Sequence, residues 1–241
     1  MKISTILIII GMIIISLYFS VEVSYYASAD TVVDNKSDVP YLLIPKINVE
    51  QSINNKSISY GIYFEPKSSK PGFGTTILFG HRTFHGSPFL NLDKLKKGDN
   101  ITVSWPGLGN VEYTVEKSFV VPASYRMSVD QGNTLFLITC YPLGSSKERL
   151  IIQANQTKIN PFQATKTNET SKKPYALLFI ALFFVFGLIL DYAYPIQEDK
   201  IILFIVTVTL TVFLLLGYFF PLPADQVSSY ISNVSSFFGF D

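Results

Sequence analysis

Cys140 is the only cysteine in the 241-residue chain. An exported domain normally carries cysteines in pairs, because oxidising surroundings join them. A lone cysteine is either a buried small hydrophobe or a reactive thiol. Its setting favours the thiol. Thr134-Leu-Phe-Leu-Ile-Thr139 is a β-prone run, and Cys140 stands at its end, just before Tyr141-Pro142. Proline cannot continue a strand ladder, so the sulfur sits where a rigid strand opens into a loop. Such a place holds a nucleophile firmly and leaves it accessible.

A thiol with an ordinary pKa near 8.5 needs a base or a positive neighbour to become a thiolate. The two histidines are His81 and His85. His81 follows the apolar run Thr76-Ile-Leu-Phe79, with Gly80 before it and Arg82 after, and so also stands at a strand end. His85 lies in the loop Thr83-Phe84-His85-Gly86, where a solvent-facing or loop-packing role is the simpler expectation. Arg149 opens the run Arg149-Leu-Ile-Ile-Gln153, nine residues after the cysteine and across a turn. A hairpin of that size returns the chain beside Cys140, where a guanidinium could hydrogen-bond a carbonyl oxygen as it gains charge. Taken alone, Arg149 reads more readily as a surface arginine paired with Glu148 or solvent. A zinc site from His81, His85 and Cys140 has the His-x3-His spacing, but a fourth ligand is not evident, and no cofactor is expected.

The elements that must position these residues are mostly strands. Apolar runs at Tyr41–Ile44, Thr75–Phe79, Asn100–Ser104, Val111–Val121, Thr134–Thr139 and Arg149–Asn155 are separated by turn signals such as Lys70-Pro71-Gly72, Lys97-Gly98-Asp99 and Gln131-Gly132-Asn133. Many short strands with frequent turns predict an all-β sandwich or barrel. Pro88 to Lys96 reads as a helical turn, with Leu92 and Leu95 three apart. The domain is expected over residues 40–156, with polar linkers at 30–39 and 157–173.

The rest of the chain is apolar, and 48% of all residues are hydrophobic. Ile3 to Val21, Pro174 to about Tyr194, and Ile201 to Phe220 each reach the roughly 20 residues that span a bilayer as a helix. One N-terminal membrane anchor (residues 1–29) and a two-helix transmembrane hairpin (174–220) are therefore expected, followed by a tail at 221–241. Ala27-Ser28-Ala29 has the small-x-small form of a signal-peptide cleavage site, but an apolar core of some 19 residues is long for a signal peptide. With Lys2 on the cytoplasmic side, the β-domain is extracellular and Asp191 to Lys200 forms an inner loop. Lys172 and Lys173 on the outer side do not follow the usual lysine bias. Asn-x-Ser/Thr triplets begin at Asn35, Asn55, Asn100, Asn155, Asn168 and Asn233, as on an N-glycosylated surface or in any Ser/Asn-rich chain. The β-domain is mildly basic, with no basic run that would mark a nucleic-acid surface.

Together, Gly80-His81-Arg82, then Leu137-Ile138-Thr139-Cys140, then Arg149, in a β-rich domain behind an N-terminal anchor, resemble the sortase family. The family signature around its nucleophile is Thr-Leu-x-Thr-Cys; here Phe136 replaces the leading threonine. The likeness extends through Leu43-Ile44-Pro45-Lys46-Ile47, Pro71-Gly72-Phe73-Gly74, Pro88-Phe89 and Leu92-Asp93-Lys94-Leu95-Lys96-Lys97-Gly98-Asp99, over about Pro40 to Asn155. After the histidine it looks most like the class E-type branch.

The resemblance implies a closed eight-stranded β-barrel and a cysteine transpeptidase. By it, Cys140 is the nucleophile, His81 the acid/base, Arg149 the group that steadies the substrate carbonyl, and Thr139 a support of the substrate groove. Implied partners are surface proteins with a C-terminal Leu-Pro-x-Thr-Gly-like sorting signal and an amine acceptor on a wall precursor or protein. The implied location is the cell membrane. A non-catalytic β-domain on a membrane stalk would explain the anchors and strands but give Cys140 no task, and a hydrolytic cysteine protease would share the three residues.

Overall fold

A computed structural model of the chain describes residues 2–28, 39–127, 130–161 and 173–221. It has a unit of strands from the middle of the sequence and a unit of helices from its two ends. The strands are β1 (Tyr41–Ile44), β2 (Val49–Asn54), β3 (Ile62–Phe64), β4 (Thr76–Phe79), β5 (Asn100–Trp105), β6 (Gly109–Pro122), β7 (Thr134–Tyr141) and β8 (Glu148–Asn160). They close into a barrel in the order β1-β2-β3-β4-β7-β8-β6-β5, the eight-stranded closure that the resemblance implies. Closure pairs every strand on both sides, so no edge is left to recruit another chain.

Six strands fall where the apolar runs predict them, and β2 and β3 are additional. The expected helical turn is a single 3-10 turn, Leu92–Lys94. β8 runs on to Asn160, with Ile159 opposite Val111, so residues 157–160 are strand rather than linker. The expected linkers otherwise lie largely outside the described residues.

Alternation decides what faces the barrel interior. Leu42, Leu78, Ile101, Val103, Tyr113, Leu135, Leu137 and Ile152 meet there and are almost fully shielded from water. β7 departs from the half-buried pattern, since all six residues from Thr134 to Thr139 are buried. Leu135 and Leu137 point into the barrel, while Phe136 and Ile138 join Ile77 and Ile151 in a second apolar cluster. Being covered on both faces, β7 reads in sequence as a continuous apolar run.

A β-bulge in β6 extends this second cluster. Val115 lies opposite inward-facing Ala154, yet Lys117 lies opposite Gln153, with a register shift between them. The extra residue reverses which alternate positions face outward. Val111, Tyr113 and Val115 therefore line the core, whereas Phe119 and Val121 pack against the outer cluster.

The helical unit contains α1 (Ile3–Ser28), α2 (Lys173–Ala193) and α3 (Gln197–Phe219), each long and apolar enough to cross a membrane. Met12 and Val23 of α1 pack with Ala176, Ile180 and Phe183 of α2 and Leu214 of α3. Gly187 lets α2 and α3 approach closely, because a Cβ there would collide with the Thr207 side chain. At one end of the unit, Thr5 of α1 donates to the Asp199 carboxylate and hydrogen-bonds Tyr194, and the Lys2 amide reaches Asp199 at 3.2 Å. At the other end Tyr26 of α1 meets Tyr175 of α2, with ring centroids 5.6 Å apart.

Leu137, fully buried in the barrel, tests the interior packing. Leu137→Ala should lower barrel stability by about 2–5 kcal/mol, the usual cost of a cavity left by leucine. Denaturant unfolding in detergent, followed by fluorescence of Trp105, the only tryptophan, measures it.

Candidate active site

Three strands carry the candidate residues to one end of the sheet. β7 and β8 are antiparallel, and Cys140 lies directly opposite Arg149. On its other side β7 runs parallel to β4, with Phe79 beside Ile138. The Gly80 amide continues that pairing by donating to the Ile138 carbonyl at 3.2 Å. The chain runs on from Gly80 to His81 at the end of the sheet that carries Cys140. Laterally adjacent residues in a sheet point to the same face. Ile77, Phe79, Phe136, Ile138 and Ile151 define that face as the outer one. Cys140 is a free, partly exposed thiol at the end of this apolar surface.

Below this end is a groove of about 230 Å³. Ile77, Phe79, Ile138 and Ile151 form its floor, Tyr125, Arg126 and Met127 contribute a wall, and Arg149 closes one end. The Arg149 Nη1 donates to the carbonyls of Ser146 at 2.8 Å and Glu148 at 3.0 Å. These bonds fasten the guanidinium to the turn after Cys140. The arginine is thus not paired with the Glu148 carboxylate, as its reading in isolation would have it.

Thr139 faces the opposite way. It is 3% exposed, and its hydroxyl donates to the Gly80 carbonyl at 2.8 Å. Any support it gives the groove is therefore indirect, by fixing the residue before His81. Gly80 itself must lack a side chain, because a Cβ would fall 2.5 Å from the Phe89 ring. The Phe89 amide in turn donates to the His81 carbonyl at 3.1 Å.

His85 is not solvent-facing. It is 2% exposed, has a left-handed backbone (φ 54°), and its ring packs against His81 with centroids 4.9 Å apart. Burial pushes the His81 pKa down to about 4. Burial and the neighbouring His81 push His85 down to about 3. Both rings rest as neutral imidazoles, and a proton placed on His81 is readily surrendered. Among the described residues no group of three or more His, Cys, Asp or Glu side chains could hold a metal ion. The zinc alternative of His81, His85 and Cys140 is not assembled.

Arg82 is a site residue whose part the sequence does not reveal. It is 6% exposed, and its Nη2 lies 3.0 Å from Asp93 Oδ1. Its guanidinium stands 5.4 Å from the centroid of the Tyr141 ring.

Residues 42–157 match the family model described as the Sortase domain. The chain belongs to the sortase family. It is 24% identical over 159 residues to Sortase SrtE2 of Streptomyces coelicolor, a match covering 56% of this sortase and 62% of that relative's length. Among solved structures, Sortase E1 of Streptomyces coelicolor, with a tripeptide in its active site, is 26% identical with a TM-score of 0.49. The match covers 55% of this chain and 96% of that one. Sortase C-1 of Actinomyces oris is 28% identical with a TM-score of 0.41, covering 50% of this chain and 73% of that one.

The buried histidine pair gives the sortase a defined response to acid. Histidine titrates near 6.5 when unperturbed, above the folded values of both rings, so the unfolded chain binds more protons below that pH. Their contribution to stability is complete above about pH 6.5. It is lost progressively as the pH falls towards about 4 for His81 and about 3 for His85. Chemical denaturation at a series of pH values should show this slope, and His85→Phe, with one titrating ring fewer, should flatten it.

Proposed function

We propose that this sortase is a membrane-anchored transpeptidase that cleaves a Leu-Pro-x-Thr-Gly-like sorting signal and transfers the acyl part to an amine. Sortase-family members are cysteine transpeptidases. The observation that supports the reading is the pairing of Cys140 with Arg149 beside an apolar outer groove, on a strand whose parallel neighbour leads into His81. An extended apolar peptide segment fits such a groove, with its scissile carbonyl brought over the sulfur.

In the first step the Cys140 thiolate attacks the carbonyl carbon of the Thr–Gly bond. Negative charge moves to the carbonyl oxygen, where Arg149 is placed to hydrogen-bond it. The C–N bond breaks as His81, in its imidazolium form, protonates the leaving amine. A thioester on Cys140 and a neutral His81 remain. In the second step an amine from a wall precursor or another protein attacks the thioester and gives its proton to His81. The C–S bond then breaks and restores the thiolate. Because burial holds the resting His81 neutral, its imidazolium is formed by taking the proton of the Cys140 thiol, and that proton is the one passed to the leaving amine.

Anchoring is supported by the three long apolar helices and by the packing of α1 with α2 and α3. That packing favours a retained anchor over a cleaved signal peptide. With both substrate and enzyme held in one membrane, encounter is confined to two dimensions. We place the catalytic barrel on the outer side, where surface proteins arrive. The residues after His81 and the likeness to Sortase SrtE2 support the class E-type branch.

Cys140→Ala should abolish both the thioacyl adduct and joining. His81→Ala should slow joining by about 10²–10⁴-fold, and Arg149→Ala by about 10²–10³-fold. A labelled sorting peptide and an amine acceptor, with products resolved by mass spectrometry, provide the assay. Joining at the wild-type rate by Cys140→Ala would refute the assignment.

A further inference from the structure

The reaction as written gives no task to Arg82, although it is the residue after His81 and one of the few buried charges in the barrel unit. Its guanidinium touches two separate segments, the loop 90–93 and the end of β7. Nη2 pairs with Asp93 in the turn Leu92–Lys94 at 3.0 Å, and Nε donates to the Leu90 carbonyl at 3.4 Å. Its face lies over the ring of Tyr141, the residue after Cys140, at 5.4 Å. Tyr141 itself packs against the barrel core, so that ring is a fixed platform.

His81 needs such a restraint. The backbone pairing that aligns β4 with β7 ends at Gly80, whose amide reaches Ile138. Beyond that bond the Thr139 hydroxyl holds the Gly80 carbonyl and the Phe89 amide holds the His81 carbonyl, and neither contact reaches the residue after the imidazole. Arg82 supplies a direct side-chain contact between the turn carrying the imidazole and the end of the strand carrying the sulfur. We propose that Arg82 is a positioning residue, a latch that fixes the His81 turn to the Cys140 end of β7 so that both acyl-transfer steps proceed at one imidazole–sulfur separation.

Proton transfer needs heavy atoms about 2.6–3.2 Å apart, and a misplacement of about 1 Å can slow a reaction roughly a hundredfold. Fold stability alone is a weaker account of the arrangement. Asp93 is 45% exposed, and ion pairs with one partner so wet contribute little to stability. The planar guanidinium is the feature that matters, because it can stack on a ring through its face while its edge pairs with a carboxylate. An ammonium is a point charge and cannot do both.

The test rests on the transpeptidase reading and uses the full-length protein in detergent. Arg82→Met, Arg82→Lys and Asp93→Asn are compared with wild type in single-turnover thioacylation by a labelled sorting peptide. Cys140, as the only cysteine, is titrated by alkylation to count competent sites. Arg82→Met and Arg82→Lys should each slow the maximal thioacylation rate by about tenfold or more. The peptide concentration giving half that rate should stay within about twofold, because Arg82 is not part of the groove floor. Arg82→Lys should keep the wild-type melting temperature while showing the slow rate, a separation that a merely structural ion pair would not give. Asp93→Asn should act in the same direction and more weakly.

Wild-type maximal rates in folded Arg82→Lys and Asp93→Asn would overturn the latch, as would an effect confined to peptide affinity. If Arg82→Met does not fold, those two variants decide the question. Failure of the wild-type protein itself to form a thioacyl adduct would instead overturn the transpeptidase reading.

Discussion

The parallel pairing of β4 with β7 is the constraint on which the site depends. Cys140 and Arg149 are joined by a hairpin, so the turn between β7 and β8 brings them together locally. His81 is almost sixty residues earlier and has no such help. It is brought to the Cys140 end of the sheet because Ile77, Leu78 and Phe79 lie beside Phe136, Leu137 and Ile138 in register, and because Gly80 extends the ladder by one bond. A slip of one residue along this pair would turn every side chain of β4 to the other face and send the imidazole away from the groove. What prevents the slip is two-sided burial. Leu78 must enter the core while Ile77 joins the outer cluster, and the two cannot exchange places without exposing one and overfilling the other.

The same two-sided burial builds a groove where a barrel would ordinarily present a polar outer wall. On most strands the outward positions are charged or hydroxylated, as on β5, where Thr102 and Ser104 alternate with Ile101 and Val103. At Ile77 and Phe79 of β4, Phe136 and Ile138 of β7, Ile151 of β8, and Phe119 and Val121 of β6, the outward positions are apolar instead. The bulge near Glu116 is what includes β6 in that surface. Without it, Phe119 and Val121 would continue the inward alternation of Val111, Tyr113 and Val115. One extra residue thus divides β6 into a half that serves the core and a half that serves the groove.

Much of this was legible in the sequence, and the reasons are local. Cys140, His81 and Arg149 each stand where an apolar run begins or ends, and a strand boundary leaves a mark within a few residues. The six strands with strong apolar runs were equally plain. β2 was not, because Val49-Glu-Gln-Ser-Ile-Asn54 offers only Val49 and Ile53 as apolar positions, with a polar Gln51 buried between them. β3 is three residues long, too short for a period to appear. The groove was hidden because its wall depends on a bulge with no glycine to announce it. Arg82 and His85 were hidden for another reason: their partners, Tyr141 and His81, are assigned by tertiary packing rather than by spacing. For His85, the loop composition left a solvent-facing and a loop-packing role open, and the fold takes the second, with the ring against its neighbour.

The helical unit obeys a related logic of pairing by contact. α1 and α2 meet at Tyr26 and Tyr175, while the opposite end of α1, at Thr5, bonds to Tyr194 and Asp199 around the start of α3. The two helix ends that lead into the strand-bearing segment, Ser28 and Lys173, therefore lie at one end of the bundle. Lys2 and the α2–α3 turn lie at the other. Both connections to the strand-bearing segment thus leave the helical unit from the same end. The arrangement also gives the Asp199 carboxylate two donors from the beginning of the chain, the Thr5 hydroxyl and the Lys2 amide. The polar contact at one end and the aromatic contact at the other thus fix how the three helices pack against one another.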